Sequence, residues 1–127
     1  MRVTIPVLAS PATLRALLSG LVRASESQIR DLGLPPLYRA GVVYRREPRG
    51  VEVWQTAKVT AARRIGDCED LAIYRAAELR VQGVDAQAVV MRTRTAGQLH
   101  AVVRWPDGAI EDPSRVLLAL ERKRKAA

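Results

Sequence analysis

One cysteine and one histidine serve the whole chain of 127 residues. Cys68 lies in GDCEDLA, residues 66–72, and His100 in QLHAVVRW, residues 98–105. A thiol and an imidazole are the pair that nucleophilic acyl chemistry uses. The sulfur attacks, the ring takes its proton, and a third group fixes the ring, the three coming from distant parts of a chain. Asp112, in GAIEDPS, is the candidate third group. Against this stands the common fate of a lone cytosolic cysteine, burial as a small core hydrophobe. Asp67, Glu69 and Asp70 also surround the sulfur, and negative neighbours make a thiol harder to ionise.

The spacing of His100 and Asp112 is that of a hairpin. WPDG, residues 105–108, puts Pro at i+1, Asp at i+2 and Gly at i+3 of a type I turn closed by a left-handed glycine. That pattern predicts a three-residue loop with a bulge, pairing Trp105 with Ala109. Counting back, Val102 faces Asp112, and His100 lies on the same sheet face, diagonal to Asp112. Diagonal neighbours sit about 7–8 Å apart at the backbone, within reach of a histidine and a carboxylate. A two-residue loop would put them on opposite faces.

Cys68 opens a predicted helix with Asp67 as N-cap. Cys68, Ala72, Ala76 and Leu79 form one apolar stripe along it, and Gly83 supplies the left-handed residue past its end. The unpaired N–H groups of a first turn, and the helix dipole, favour thiolate over thiol. Asp67, Glu69 and Asp70 then serve as ordinary N-terminal residues, and the thiol is subject to a competition between helix and carboxylates. Beside His100, it is expected in the milder part of the ~3.5–7.5 range.

The remaining elements must hold these two pieces together. SPATLRALLSGLVRA, residues 10–24, predicts a helix with Ser10 as N-cap, Pro11 at its first position and Leu14, Leu17, Leu18, Leu21 and Val22 facing the core, continuing toward Ile29. LGLPPLY, residues 32–38, is a stop with an extended connection. Residues 40–54 read as a short, poorly periodic strand or an irregular loop around EPRG. AQAVVMRTR and QLHAVVRW are strands separated by TAG, and WPDGAIED begins a third. PSRVLLALERK predicts a last helix with Val116, Leu117 and Leu120 as its apolar contacts, while residues past Arg122 offer nothing to bury. Helices followed by an antiparallel meander make the fold class α+β.

Composition narrows the classes. The formal net charge is +8 and the isoelectric point about 10.7, which points to nucleic acid or another acidic partner. The only basic run is ERKRKAA, residues 121–127. Aromatics make up 4% and none are interleaved with Lys or Arg, so a plain nucleic-acid-binding module is disfavoured. A metal site from Asp67, Cys68, His100 and Asp112 has no recognised ligand spacing. A single cysteine cannot form an internal disulfide. Pro6, Pro11 and Arg15 break the N-terminal segment, and no apolar run approaches the ~20 residues of a membrane span. The expected compartment is the cytoplasm.

VEVWQTA, GDCEDLA and HAVVRWPDGAIEDPS, in that order over residues 51–118, resemble the transglutaminase-like cysteine protease superfamily. PPLYRAGVVYRREP, GDCEDLA and EDPSR further resemble small members encoded among bacteriophage structural genes. The resemblance implies a papain-like α+β fold, with a catalytic helix packed on a small antiparallel sheet and preceded by an N-terminal helix. It implies one domain over 1–127: an N-terminal helix and extended arm in 1–50, a Cys-His-Asp core in 51–118, and a basic tail in 119–127. Cys68 would be the nucleophile, His100 the general base and then acid, and Asp112 the residue fixing the imidazole. The Cys68 backbone N–H and a side chain of Trp54 or Gln55 would donate to the oxyanion. The implied reaction is acyl transfer on a protein or peptide substrate, through a thioester passed to water or to an amine, with no metal or organic cofactor. Specificity would be set by residues 40–58 and by RTAGQ, residues 94–98. Members of the superfamily also keep the fold without known catalysis. The alternative is therefore a virion structural or assembly protein whose basic ends contact phage subunits or DNA. Either reading places the chain in the bacterial host cytoplasm or the virion, with no membrane partner.

Overall fold

The computed structural model describes residues 1–6, 9–47, 52–92 and 99–126. Its centre is α3 (Cys68–Val81), the helix that Cys68 opens. Leu71, Ala72, Ile73, Tyr74, Ala76 and Ala77 are all fully buried, so this helix has no solvent face in its middle. The single stripe expected from sequence is one of several buried faces. Helix α1 (Pro11–Leu32), α2 (Ala57–Arg63), α4 (Pro113–Ala126) and a three-stranded sheet all pack against it. A helix buried on every side is one that other elements surround, and Glu69, Asp70 and Glu78 are buried with it.

The surrounding elements form where local chemistry starts and stops them. In α1, the Ser10 hydroxyl accepts from the Thr13 N–H at 3.1 Å, with Pro11 at the first position. The helix ends at Gly33, whose φ of 63° suits glycine and whose N–H bonds Ile29 O at 3.0 Å. Leu18, Leu21 and Val22 meet Ile73, Ala76 and Ala77 in one core cluster. Leu37, Val42, Ala57 and Leu117 close on Leu71 and Tyr74 in a second.

The meander comprises β5 (Gln87–Arg92), β6 (Leu99–Arg104) and β7 (Ile110–Glu111), antiparallel in that order. The TAG and RTAGQ connections lie outside the described residues. The WPDG loop takes the expected form: Trp105 N–H bonds Ala109 O at 2.8 Å, and Gly108 has φ 92°. Val103 pairs with Glu111, which sets Val102 opposite Asp112 one step further on. Ala101 and Val103 face α3, so His100 and Val102 lie on the other side of β6.

Residues 40–54 hold more structure than expected. β2 (Val43–Tyr44) pairs in parallel with β4 (Ile65–Gly66), and β3 (Val53–Gln55) pairs antiparallel with β1 (Arg2–Thr4). Most of the EPRG turn lies outside the described residues. At the other end of the chain, α4 continues through the basic tail, with Arg122–Ala126 exposed. Among the described residues, no helix is long and apolar enough to cross a membrane.

Candidate functional site

The start of α3 is held by a reciprocal cap. Asp67 Oδ1 accepts from Cys68 N–H at 2.7 Å, and Asp70 Oδ2 accepts from Asp67 N–H at 3.0 Å. Asp70 Oδ1 also accepts from Gln55 N–H at 2.9 Å, which ties β3 to the same helix end. Gly66 lets this turn close: a Cβ there would lie 3.1 Å from Asp70 Cβ and 3.2 Å from Leu71 Cδ2. Both obstacles belong to buried residues of α3. Gly66→Ala is therefore expected to cost about 1–3 kcal/mol by overpacking. Thermal melts of the two proteins check this, and unchanged stability would mean the turn relaxes freely.

The sulfur of Cys68 sits against β6. Alternate N–H groups of a strand point to the same edge, so Ala101 N–H follows Val103 and Trp105 toward β7. Continuing the register would set Ala101 opposite Pro113, where the chain turns into α4 and has no N–H to exchange. Ala101 N–H reaches the Cys68 sulfur instead. The helix end that carries the thiol thus meets β6 at the residue after His100.

The ionisation expected for this thiol is corrected by the structure. Cys68 is 5% exposed, and its pKa is pushed up rather than down. Burial is the largest cause, followed by the Glu69 charge; Ala101 N–H opposes them, and Asp67 adds to the rise. The competition between helix and carboxylates goes to burial and the carboxylates.

Glu69 stands outside the Asp67–Asp70 cap: its carboxylate meets its own first-turn backbone N–H and the neighbouring thiol. It is 2% exposed and accepts from the Cys68 thiol, and its carboxyl is pushed up to about 9 by burial, then by the charges of Asp67 and Glu52. Glu52 bonds to Glu69, and its own pKa is raised, chiefly by burial. Asp70 is pushed up to about 7 by burial, despite its two backbone donors. Glu47 N–H bonds Asp67 Oδ2 at 3.2 Å. Tyr44 completes the surroundings, its phenol pushed up to about 12 by burial and then by Asp67 and Cys68. Ligand atoms of Asp67, Cys68 and Glu69 lie within 4.8 Å of one another.

His100 and Asp112 come together as the hairpin register requires. His100 Nε2 lies 2.8 Å from Asp112 Oδ2, and Nδ1 has no hydrogen-bond partner among the described residues. Ser114 Oγ donates to Asp112 Oδ1 at 2.6 Å, and Arg115 N–H approaches the same oxygen at 3.5 Å. Burial raises the Asp112 pKa, but Ser114 and His100 outweigh it and hold the carboxyl below its usual range. Ser114 is a residue that sequence reasoning passed over. Its signal was present in DPS: an N-cap Asp, a Pro at the first helical position, and a hydroxyl that can reach back.

The expected oxyanion donors differ in what their hydrogens already do. Gln55 Nε2 donates to Thr60 Oγ1 at 3.1 Å and to Ile65 O at 3.0 Å, so its amide is spent on the fold. Cys68 N–H is committed to Asp67. Trp54 is fully buried in the same core cluster as Cys68, and its indole N–H has no formed hydrogen bond among the described residues. It lies within electrostatic reach of Glu52, whose carboxylate it stabilises, without the geometry of a bond. No family model, curated protein or solved structure matches the chain.

Proposed function

We propose that this chain is a cysteine-dependent acyl-transfer enzyme of the transglutaminase-like kind, acting on a protein or peptide. The observation that carries the reading is the His100–Asp112 pair, 2.8 Å apart on the edge of the strand that receives the Cys68 sulfur. Because the thiol is held protonated, nucleophile and base act together. The His100 ring takes the thiol proton through Nδ1 as sulfur adds to the carbonyl carbon, the sulfur leaving the Ala101 N–H for the face of β6 that carries His100. Asp112 steadies the resulting imidazolium through Nε2, and the Trp54 indole is the donor free to meet the oxyanion. His100 then gives its proton to the departing amine, leaving a thioester that water or a second amine attacks.

The test is mass-spectrometric capture of an acyl group on Cys68 from an activated ester, with its rate of formation. Cys68→Ala should abolish capture, and His100→Ala should slow it by about 10²–10⁴-fold, the usual contribution of a general base. Asp112→Asn should slow it less. Equal acylation of wild type and His100→Ala would end the proposal. A second reading, an assembly protein that keeps this arrangement without turnover, draws support from the 5% exposure of Cys68. It expects no Cys68 acylation in any of these proteins.

A further inference from the structure

A shallow groove of about 210 Å³ lies between the segment after Leu37–Arg39 and helix α4, away from the thiol. Val42, Leu117 and Leu120 give it an apolar floor, and the Tyr38 ring forms part of its wall. Lys123 and Arg124, both exposed, stand at one end. They continue the helical face of Leu117 and Leu120, being three and four residues beyond Leu120. The apolar stripe of α4 therefore runs directly into two cations.

Neither cation is held in a contact ion pair, although Arg124 acts on Glu121 at longer range. Arg45 pairs with Glu121 at 3.2 Å and Lys125 with the same carboxylate at 3.7 Å, whereas Lys123 and Arg124 have no ion-pair partner among the described residues. We propose that this groove docks an acidic peptide segment through one apolar side chain, with carboxylates of the peptide meeting Lys123 and Arg124. Its volume decides the size of the anchor: small-molecule sites occupy about 300–1,000 Å³, while this one holds a single leucine- or phenylalanine-sized group. The apolar lining favours a peptide over a nucleic acid, since phosphate and sugar have no use for the half-buried Leu120 and Tyr38. Two copies of a chain with a net charge of +8 repel one another, which favours a different, acidic protein as the partner. None of this depends on the chemistry of Cys68.

Two substitutions separate the groove from its charge. Gly41 lines the groove with φ +71°, and a Cβ there would meet nothing within 4 Å. Gly41→Asn keeps a residue that tolerates the left-handed backbone while placing a side chain at the groove wall. The double variant Lys123→Glu, Arg124→Glu reverses the charge on exposed positions. The probe is a fluorescein-labelled peptide of Glu, Asp, Ser and Gly with one central leucine, titrated by anisotropy into the full chain, with thermal melts confirming that each variant folds. We expect saturable binding that weakens by about tenfold or more in each variant, and equally when the central leucine becomes serine. Absence of saturable binding to the wild type would overturn the proposal. So would loss in the charge-reversed variant alone, with Gly41→Asn and the serine peptide binding normally, because charge without the groove would then suffice. Tighter binding of a duplex DNA than of the peptide, sensitive to the same charge reversal, would also overturn it in favour of phosphate recognition.

Discussion

Glu111→Ala is expected to remove up to about 3 kcal/mol of stability, the largest effect of any single truncation outside the apolar core. Glu111 is the shared acceptor of a half-buried network. Tyr38 hydroxyl donates to it at 2.5 Å, Arg75 Nε at 2.6 Å and Trp105 Nε1 at 3.3 Å. Removing it strands the Arg75 guanidinium, only 18% exposed, with Glu78 at 3.4 Å as its remaining partner. Breaking a buried pair by deleting one member costs about 3–5 kcal/mol, because the other charge stays desolvated. At most the lower end applies here, since both members of the pair are about a fifth exposed and Glu78 and the Tyr38 ring, 5.0 Å from Arg75, still attend the cation. For a chain of this size that corresponds to a midpoint lower by at most roughly 10 °C. Arg45→Ala makes the contrast: its pair with Glu121 has a half-exposed arginine, and such pairs contribute about 0–1 kcal/mol. Denaturant titrations of both variants check the ordering, and a Glu111→Ala loss below about 1 kcal/mol would show that Arg75 finds water or another acceptor.

The hairpin and the starts of α1 and α3 were legible because their causes are local, whereas α2 went unread. WPDG specifies its own loop, the loop fixes the register, and the register alone brings Asp112 to His100. Ser10 with Pro11 and Asp67 with Asp70 announce α1 and α3 within four residues each. What sequence could not give depends on which chemically similar surfaces meet. Nothing in GDCEDLA says that Glu69 turns inward to the sulfur while Asp67 and Asp70 cap the helix, because all three suit a first turn. Glu52 and Glu47 join the same acidic neighbourhood only through the packing of β2, β3 and β4, short pieces with no periodicity of their own. The thiol's pKa followed from that packing. Helix position is a local property and burial is not, and burial is the larger cause. Gln55 failed as an available donor for the same reason: Thr60 and Ile65 reach it only after α2 folds back.

Stability should be greatest near pH 5 and fall as the pH rises toward 9, the reverse of the trend set by ion-paired carboxylates. Glu69, at 4.5 in its ordinary state, is raised to about 9 by burial and by Asp67 and Glu52, and Asp70 is raised from 3.8 to about 7 by burial. For both acids the folded chain holds a proton that the unfolded chain releases. Stability from such a group is complete below its ordinary pKa and is lost as the pH climbs through the folded value. The window is therefore about pH 4 to 9. Glu111 and Asp112 act oppositely: burial raises each, but Arg75 and Tyr38 for Glu111, and Ser114 and His100 for Asp112, hold them below their usual range. Their contribution is lost as the pH falls through those lowered values, which sets the acid limit of the maximum. Glu69→Gln carries no titratable proton, so its melting midpoint should decline less between pH 7 and 9 than that of the wild type. A wild-type midpoint that rises over this interval, or an equal slope in the two proteins, would contradict the assignment. The same substitution removes the Glu69 charge, second only to burial among the causes that hold the Cys68 thiol up. The pH profile of Cys68 alkylation should therefore move to lower pH in Glu69→Gln, which ties the acidic pocket to the reactivity of the sulfur it encloses.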